Sequence, residues 1–117
     1  GGTMTNEASS LLLARHETDC TIQDITAACA AVLRTHGRLS MVFPAQRMLE
    51  LLDAMRRCRL EPKRIRMVCA RVDRAPYLVL VEAMKNAKPA LLWMPPLIVY
   101  HPDGSETEEL RRIYHQR

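Results

Sequence analysis

Residues 37–70 read as strand, helix, strand, and that order commits the chain to a sheet with parallel strands. Two parallel strands cannot be joined by a tight turn and need a crossover of about a dozen residues or more, usually a helix. Residues 38–43 have the apolar character of a buried strand, residues 44–58 that of an amphipathic helix, and residues 65–69 that of a second strand. In the helix Ala45, Met48, Leu49, Leu52 and Met55 recur at helical spacing, while Gln46, Arg47, Glu50, Asp53 and Arg57 fall on the other sides. The methionines on that stripe are expected to fill the interior beneath the helix. A parallel sheet is expected to be covered on both faces. Yet the turn Phe43-Pro44-Ala45 has no glycine to let the backbone close on a phosphate. The unit therefore reads as half of an α/β enzyme, without the cofactor loop.

The flanks add to this frame. Residues 1–10 are small and polar and are expected to form a mobile loop, followed by a short helical stretch over 10–15. Thr21 and Asp24 have the spacing of a capping box and predict a helix with Ile22, Ile25, Cys29, Val32 and Leu33 on one face. Gly37 stands where a left-handed residue commonly ends a helix. Residues 77–84 are nearly continuously apolar, as in a strand covered on both faces, and the link 71–76 is too short for a crossover. This strand should therefore run antiparallel to 65–69. Residues 91–100 are apolar but split by Pro95-Pro96, which removes two ladder donors and confines the segment to an edge. A turn at 101–104 and a terminal helix over 106–114 complete the chain, with acidic residues early and Arg111-Arg112 late in that helix.

Lysine and arginine number 17 against 13 acidic residues, a net charge of +4 that favours an anionic partner. One Trp, one Phe and three Tyr are too few for a platform of several stacked aromatics, so contact with RNA is expected to be mainly electrostatic. The cysteines Cys20, Cys29, Cys58 and Cys69 contain no C-x-x-C and no paired histidine spacing, which supports neither a zinc site nor a disulfide framework. No apolar run approaches the roughly 20 residues of a membrane span. Reduced thiols and the missing signal-peptide pattern point to a cytoplasmic protein.

The densest charge is the run Arg56, Arg57, Arg59, Lys63, Arg64 and Arg66. It lies at the helix end and at the amino end of the following strand, whereas open α/β sheets bind ligands at the carboxyl ends of their strands. It is read as a solvated helix end. Arg47, Arg71 and Arg74, on the carboxyl rim, are the better candidates to meet an anionic substrate. Arg15-His16-Glu17 places a histidine beside a carboxylate, but sequence neighbours on a helix do not face each other, so a structural or RNA-contact role is favoured over proton transfer. No G-x-S-x-G, P-loop or G-x-G-x-x-G occurs.

Several stretches then carry a resemblance: Ala14-Arg15-His16-Glu17, the helix start from Cys20 to Ile25, Gly37-Arg38-Leu39-Ser40-Met41-Val42-Phe43, Arg59-Leu60-Glu61-Pro62-Lys63-Arg64-Ile65-Arg66, Leu78-Val79-Leu80-Val81-Glu82, and Pro95-Pro96-Leu97-Ile98-Val99-Tyr100. In this order they resemble the bacterial S-adenosylmethionine-dependent methyltransferases that modify N6 of an adenine in valine tRNA. The resemblance implies an α/β fold, the carboxyl-terminal half of a Rossmann-like methyltransferase, with its last strand antiparallel between the two before it. Residues 1–20 would be a substrate-side loop and short helix, and 21–117 the half-sheet with its edge segment and terminal helix. In the family the glycine-rich cofactor loop and an Asn-Pro-Pro-Tyr tetrapeptide belong to the amino half. Pro95-Pro96, after Met94 and before Leu97, is no substitute, so no catalytic or cofactor-binding residue carries over.

The expected activity is therefore that of one part of a tRNA adenine-N6 methyltransferase, silent alone, with S-adenosylmethionine as cofactor of the whole protein. Arg15 and His16 would border the pocket of a flipped base. The alternative is a non-catalytic RNA-binding or assembly module of the same fold. The expected partners are tRNA and either the missing amino half or a second copy, paired through exposed sheet edges. A relative acting on another RNA, on DNA or on protein stays open, because fold does not fix substrate.

Overall fold

The computed structural model describes the backbone of Leu11–Leu13 and residues 20–114, with side chains from Cys20 to Ile113. Arg15, His16 and the 1–10 segment lie outside the described residues. In chain order the elements are β1 (Leu11–Leu13), α1 (Ile22–Val32), β2 (Arg38–Pro44), α2 (Met48–Arg57), β3 (Leu60–Cys69), β4 (Leu78–Lys85), β5 (Leu92–Trp93), β6 (Leu97–Ile98) and α3 (Glu108–Tyr114).

They form a six-stranded sheet of order β1-β2-β4-β3-β5, with β6 also paired to β3. β4 is antiparallel to both of its neighbours, Pro44 pairing with Leu78 and Val68 with Leu78, while β1, β5 and β6 run parallel to the strands they join. The β2-α2-β3 crossover thus makes two parallel strands that do not touch, because the hairpin from β3 returns β4 into the space between them. Pro95-Pro96 separates the two short pieces of edge, β5 and β6, as the loss of ladder donors requires.

Strand alternation divides the sheet into two unequal faces. Leu39, Met41, Phe43, Ile65, Val79, Val81 and Ala83 are buried against α1 and α2, with Ile22, Ala30, Leu51, Ala54 and Met55 completing the core. Among the described residues the other face is covered at one end only, where Val68, Leu97 and Val99 are buried with Leu78, Leu80 and Leu110 packed against them. Elsewhere it is an open groove of about 320 Å³ lined by Ser40, Val42, Arg64, Arg66, Leu80, Glu82 and Met94. The sequence predicts residues 77–84 to be covered on both faces, and the described residues cover one face of β4 fully and the other in part: burial along it alternates between buried and half-buried.

The helices depart from expectation in particular ways. The capping box of α1 forms as expected: Asp24 N–H donates to Thr21 Oγ1 at 3.1 Å and Thr21 N–H to Asp24 Oδ2 at 3.2 Å. Its buried line, however, is Ile22, Thr26 and Ala30, and Val32 is 70% exposed. Thr26 is tolerated there because its hydroxyl donates back to the Ile22 carbonyl at 3.0 Å. In α2 the core residue is Leu51, while Leu49 is 77% exposed. Leu49 lies on the solvent side of a stripe formed by Met48, Leu51, Leu52 and Met55, all of them buried or half-buried. Leu11–Leu13 is a strand rather than part of a short helix. The left-handed residue after α1 is His36 (φ 69°), not Gly37, whose missing Cβ instead permits a close approach to the Arg34 carbonyl oxygen.

Candidate functional site: the carboxyl rim of the parallel strands

The ends of β2 and β3 and the start of β4 lie in one row, because Pro44 and Val68 are both in register with Leu78. Backbone bonds stitch the row together beyond the strands: Ala45 N–H donates to the Tyr77 carbonyl at 3.1 Å, and Tyr77 N–H donates to the Val68 carbonyl at 2.9 Å. The 3-10 turn that carries Arg47 is thereby tied to the loop that carries Arg71 and Arg74. Of the four arginines singled out from the sequence, Arg47, Arg71 and Arg74 share this rim, and Arg15 lies outside the described residues.

Their surroundings differ. Arg47 forms a bidentate pair with Glu50, Nε to Oε1 at 2.9 Å and a terminal nitrogen to Oε2 at 2.8 Å, and its guanidinium sits 5.1 Å from the centroid of the buried Phe43 ring. That hydrogen bonding, with the charge of Arg47 behind it, holds the Glu50 carboxyl below the ordinary carboxylate range. In this arrangement Arg47 braces the start of α2, where no side chain caps the helix. Arg71 and Arg74 are held in one turn by the Arg74 N–H to Arg71 carbonyl bond at 3.1 Å. Among the described residues neither guanidinium has an ion pair or a side-chain hydrogen bond.

The denser basic run at the opposite rim is largely neutralised within the fold. Arg57 pairs with Asp53 at 3.1 Å, Arg56 with Glu61 at 3.2 Å, Arg64 lies 4.0 Å from Glu82, and Arg66 pairs with Glu109. Lys63 donates to the Lys88 carbonyl at 2.7 Å and Arg66 to the Pro95 carbonyl at 3.0 Å. Its members are the ties of a helix end and two strand edges, and Arg59, at φ 63°, occupies the tight turn between α2 and β3. Being mostly exposed, each such pair contributes about 0–1 kcal/mol.

The described residues do not form a cradle for S-adenosylmethionine. The chain leaves β2 straight into the 3-10 turn with no glycine, and the carboxylate nearest that turn, Glu50, is held by Arg47. The open groove lies on the sheet face rather than at the rim, and its polar groups Arg64 and Glu82 lie opposite one another. Among the described residues no group of three or more His, Cys, Asp or Glu could hold a metal ion, and no helix is long and apolar enough to cross a membrane.

Sequence reasoning missed two residues of the site and its frame. Tyr77, half exposed on the rim, has no signal in the composition, because a low aromatic count speaks against platforms of several rings but not against one. Lys85 reaches from β4 to the carboxyl end of α1, a contact no local pattern encodes.

No family model matches the chain, and no curated protein does. Among solved structures it is similar to a predicted O-methyltransferase from Agrobacterium tumefaciens, with a TM-score of 0.77 and 19% sequence identity, over 88% of this chain and 48% of that one. The chain thus spans about half the length of that protein. At this identity the likeness establishes the fold alone: a mixed α/β, Rossmann-like sheet.

Proposed function

We propose that this chain is the carboxyl-terminal part of an S-adenosylmethionine-dependent methyltransferase acting on N6 of an adenine in tRNA, and that it is catalytically silent alone. The observation that carries the reading is the antiparallel β4 inserted between parallel β2 and β3, the arrangement implied by the sequence resemblance to that enzyme family. The open sheet face supports it, since a face with half-buried Leu80 and Val42 is suited to cover by further helices. S-adenosylmethionine would be held by the amino half and would supply the methyl group. This half would contribute the rim: Arg71 and Arg74, with Arg15 and His16 of the amino segment, against tRNA phosphates, and Arg47 as the brace beneath them.

The test is calorimetric titration with S-adenosylmethionine and transfer of labelled methyl groups to unmodified tRNA. The 117-residue chain is compared with a protein extended by the sequence encoded ahead of Gly1. Neither binding nor transfer is expected of the chain alone, and both of the extended protein. Micromolar cofactor binding with tRNA methylation by the 117-residue chain would refute the proposal.

One observation favours a second reading, a non-catalytic assembly module. Leu92 and Trp93 on the edge strand β5 are 53% and 58% exposed, which suits pairing with another chain. Gel filtration separates the readings: a discrete oligomer that binds tRNA steeply with salt, and gains no activity on extension, would favour the module.

A further inference from the structure

We infer that the turn joining β3 to β4 is a seat for single-stranded RNA, in which the Tyr77 ring stacks on a base and Arg71 and Arg74 take the flanking phosphates. The inference rests on the RNA reading above and names the residues that would hold the strand. It starts from the contrast between the backbone and the side chain of Tyr77. Its N–H and carbonyl are both bonded, to Val68 and Ala45 on the two neighbouring strands' ends, so its main chain is fixed. Its side chain is not: the residue is 50% exposed, and among the described residues its hydroxyl has no hydrogen-bond partner. An aromatic ring on a fixed backbone loses little freedom when a flat partner settles on it, because only two torsions remain to be set.

Charge identifies the partner. Most cations of the 56–66 run are matched by carboxylates or carbonyls, whereas among the described residues the half-buried Arg71 and the exposed Arg74 have no ion pair, with Asp73 as the nearest acidic residue in sequence. Two guanidinium groups three residues apart in one turn, with an exposed ring three residues further along the chain, suit the repeating unit of a nucleic-acid strand, flat bases alternating with phosphates. An acidic peptide would use the cations but carries no flat group at every repeat to place on Tyr77. A duplex would meet the cations but keeps its bases inside. One ring takes one base, and stacking is tolerant of which base it is. The position agrees with the chemistry, since the turn sits at the carboxyl ends of β2 and β3, where an open α/β sheet receives its ligand.

The experiment uses the 117-residue chain and two fluorescein-labelled strands of about 12 nucleotides, one an unstructured RNA and the other a base-free phosphodiester of the same length, followed by anisotropy over a series of salt concentrations. Tyr77→Ala and Tyr77→Leu should each weaken binding of the RNA about tenfold and leave the base-free strand within about twofold, while Tyr77→Phe retains wild-type affinity. Arg71→Gln and Arg74→Gln should each lower the slope of log K against log salt by about 0.7 on both strands. The leucine variant keeps the apolar bulk should the alanine variant fold poorly. The inference is overturned if the wild type binds both strands alike, or if loss of the ring weakens both strands equally or neither. Ring-independent binding by a protein that methylates tRNA when extended would sink this inference alone. Ring-dependent binding without methylation would sink the functional proposal alone.

Discussion

Replacing Lys85 with methionine should loosen the attachment of α1 to the sheet, and the structure allows the loss to be sized. A helix leaves its last carbonyls without intrahelical partners. In α1 no basic residue lies in the last turn to meet them. Lys85 does so from β4: its Nζ donates to the Ala30 carbonyl at 2.6 Å and to the Leu33 carbonyl at 2.8 Å, across 55 and 52 residues of sequence. Hydrogen bonds from a charged donor contribute about 1.5–3 kcal/mol each, but two that share one ammonium are not additive, and the site is only partly buried. The interaction of the cation with the helix dipole adds about 0.3–1 kcal/mol. A loss of about 2 kcal/mol is expected, and methionine keeps the stem, so packing contributes little. With a urea slope of about 1.5 kcal/mol/M the midpoint should fall by about 1.3 M, and the melting temperature by about 8 °C. Amide exchange should accelerate most at the carboxyl end of α1. The control is Lys63→Met, which removes one exposed bond to the Lys88 carbonyl and should cost less than about 0.5 kcal/mol. A Lys85→Met midpoint within error of that control would refute the reasoning.

Other substitutions and pH test the remaining structure. Leu51→Ala should cost about 3 kcal/mol and Leu49→Gln less than about 0.5 in urea unfolding, because the first side chain is wholly buried and the second is 77% exposed. Gly37→Ala should cost about 1–3 kcal/mol, since its Cβ would lie 2.9 Å from the Arg34 carbonyl oxygen, which already accepts the Gly37 N–H at 2.8 Å. The Asp103 carboxyl is held below its ordinary range chiefly by the Ser105 hydroxyl and then by the Ser105 N–H. Its stabilisation is therefore present above the ordinary carboxylate range and lost as pH falls through the lowered value, and Asp103→Asn should flatten the acid side of the stability profile. Burial pushes the Cys29 thiol up, so the stability from keeping it neutral is present below the ordinary thiol range and lost as pH rises through the raised value. Maleimide should accordingly modify the exposed Cys20 before Cys29, as read by peptide mass spectrometry.

The parts of this fold that could be read in the sequence are those written in local chemistry. Thr21 and Asp24 mark the start of α1 because a capping box is closed within four residues, and Pro95-Pro96 marks an edge because it deletes donors wherever it stands. The short link 71–76 is enough to make β4 antiparallel to β3. What escaped is set by contacts between distant residues. Whether Leu49 or Leu51 joins Met48, Leu52 and Met55 in the buried stripe of α2 is decided by packing against the sheet, and the 3-10 turn at Ala45–Arg47 is held by Ala45 N–H donating to Tyr77 across the rim. The open sheet face escaped for a related reason: an apolar strand indicates how much surface should be covered, not whether these residues cover it. At the site, Arg71 and Arg74 could be placed from topology alone, whereas the pairing of Arg47 with Glu50 needed the turn geometry.

The insertion of β4 has a mechanical consequence for the rim. Were β3 bonded directly to β2, the loop following β3 would be tied to β2 only through the first of its residues. With β4 between them, Tyr77 is bonded to Val68 on one side and Ala45 on the other, so the start of α2 and the 71–76 loop share a single anchoring residue. Arg47 and Glu50 stiffen that anchor from the helix side, and the bond from Arg74 to Arg71 tightens it from the loop side. Disturbing either side should reach the other without any change in the core. Glu50→Gln, which leaves Leu51 and Phe43 in place, should raise amide exchange at Ala45 and Tyr77 together. Faster exchange at Ala45 with an unchanged Tyr77 would show that the two segments are fixed independently, and the rim would then be two sites rather than one.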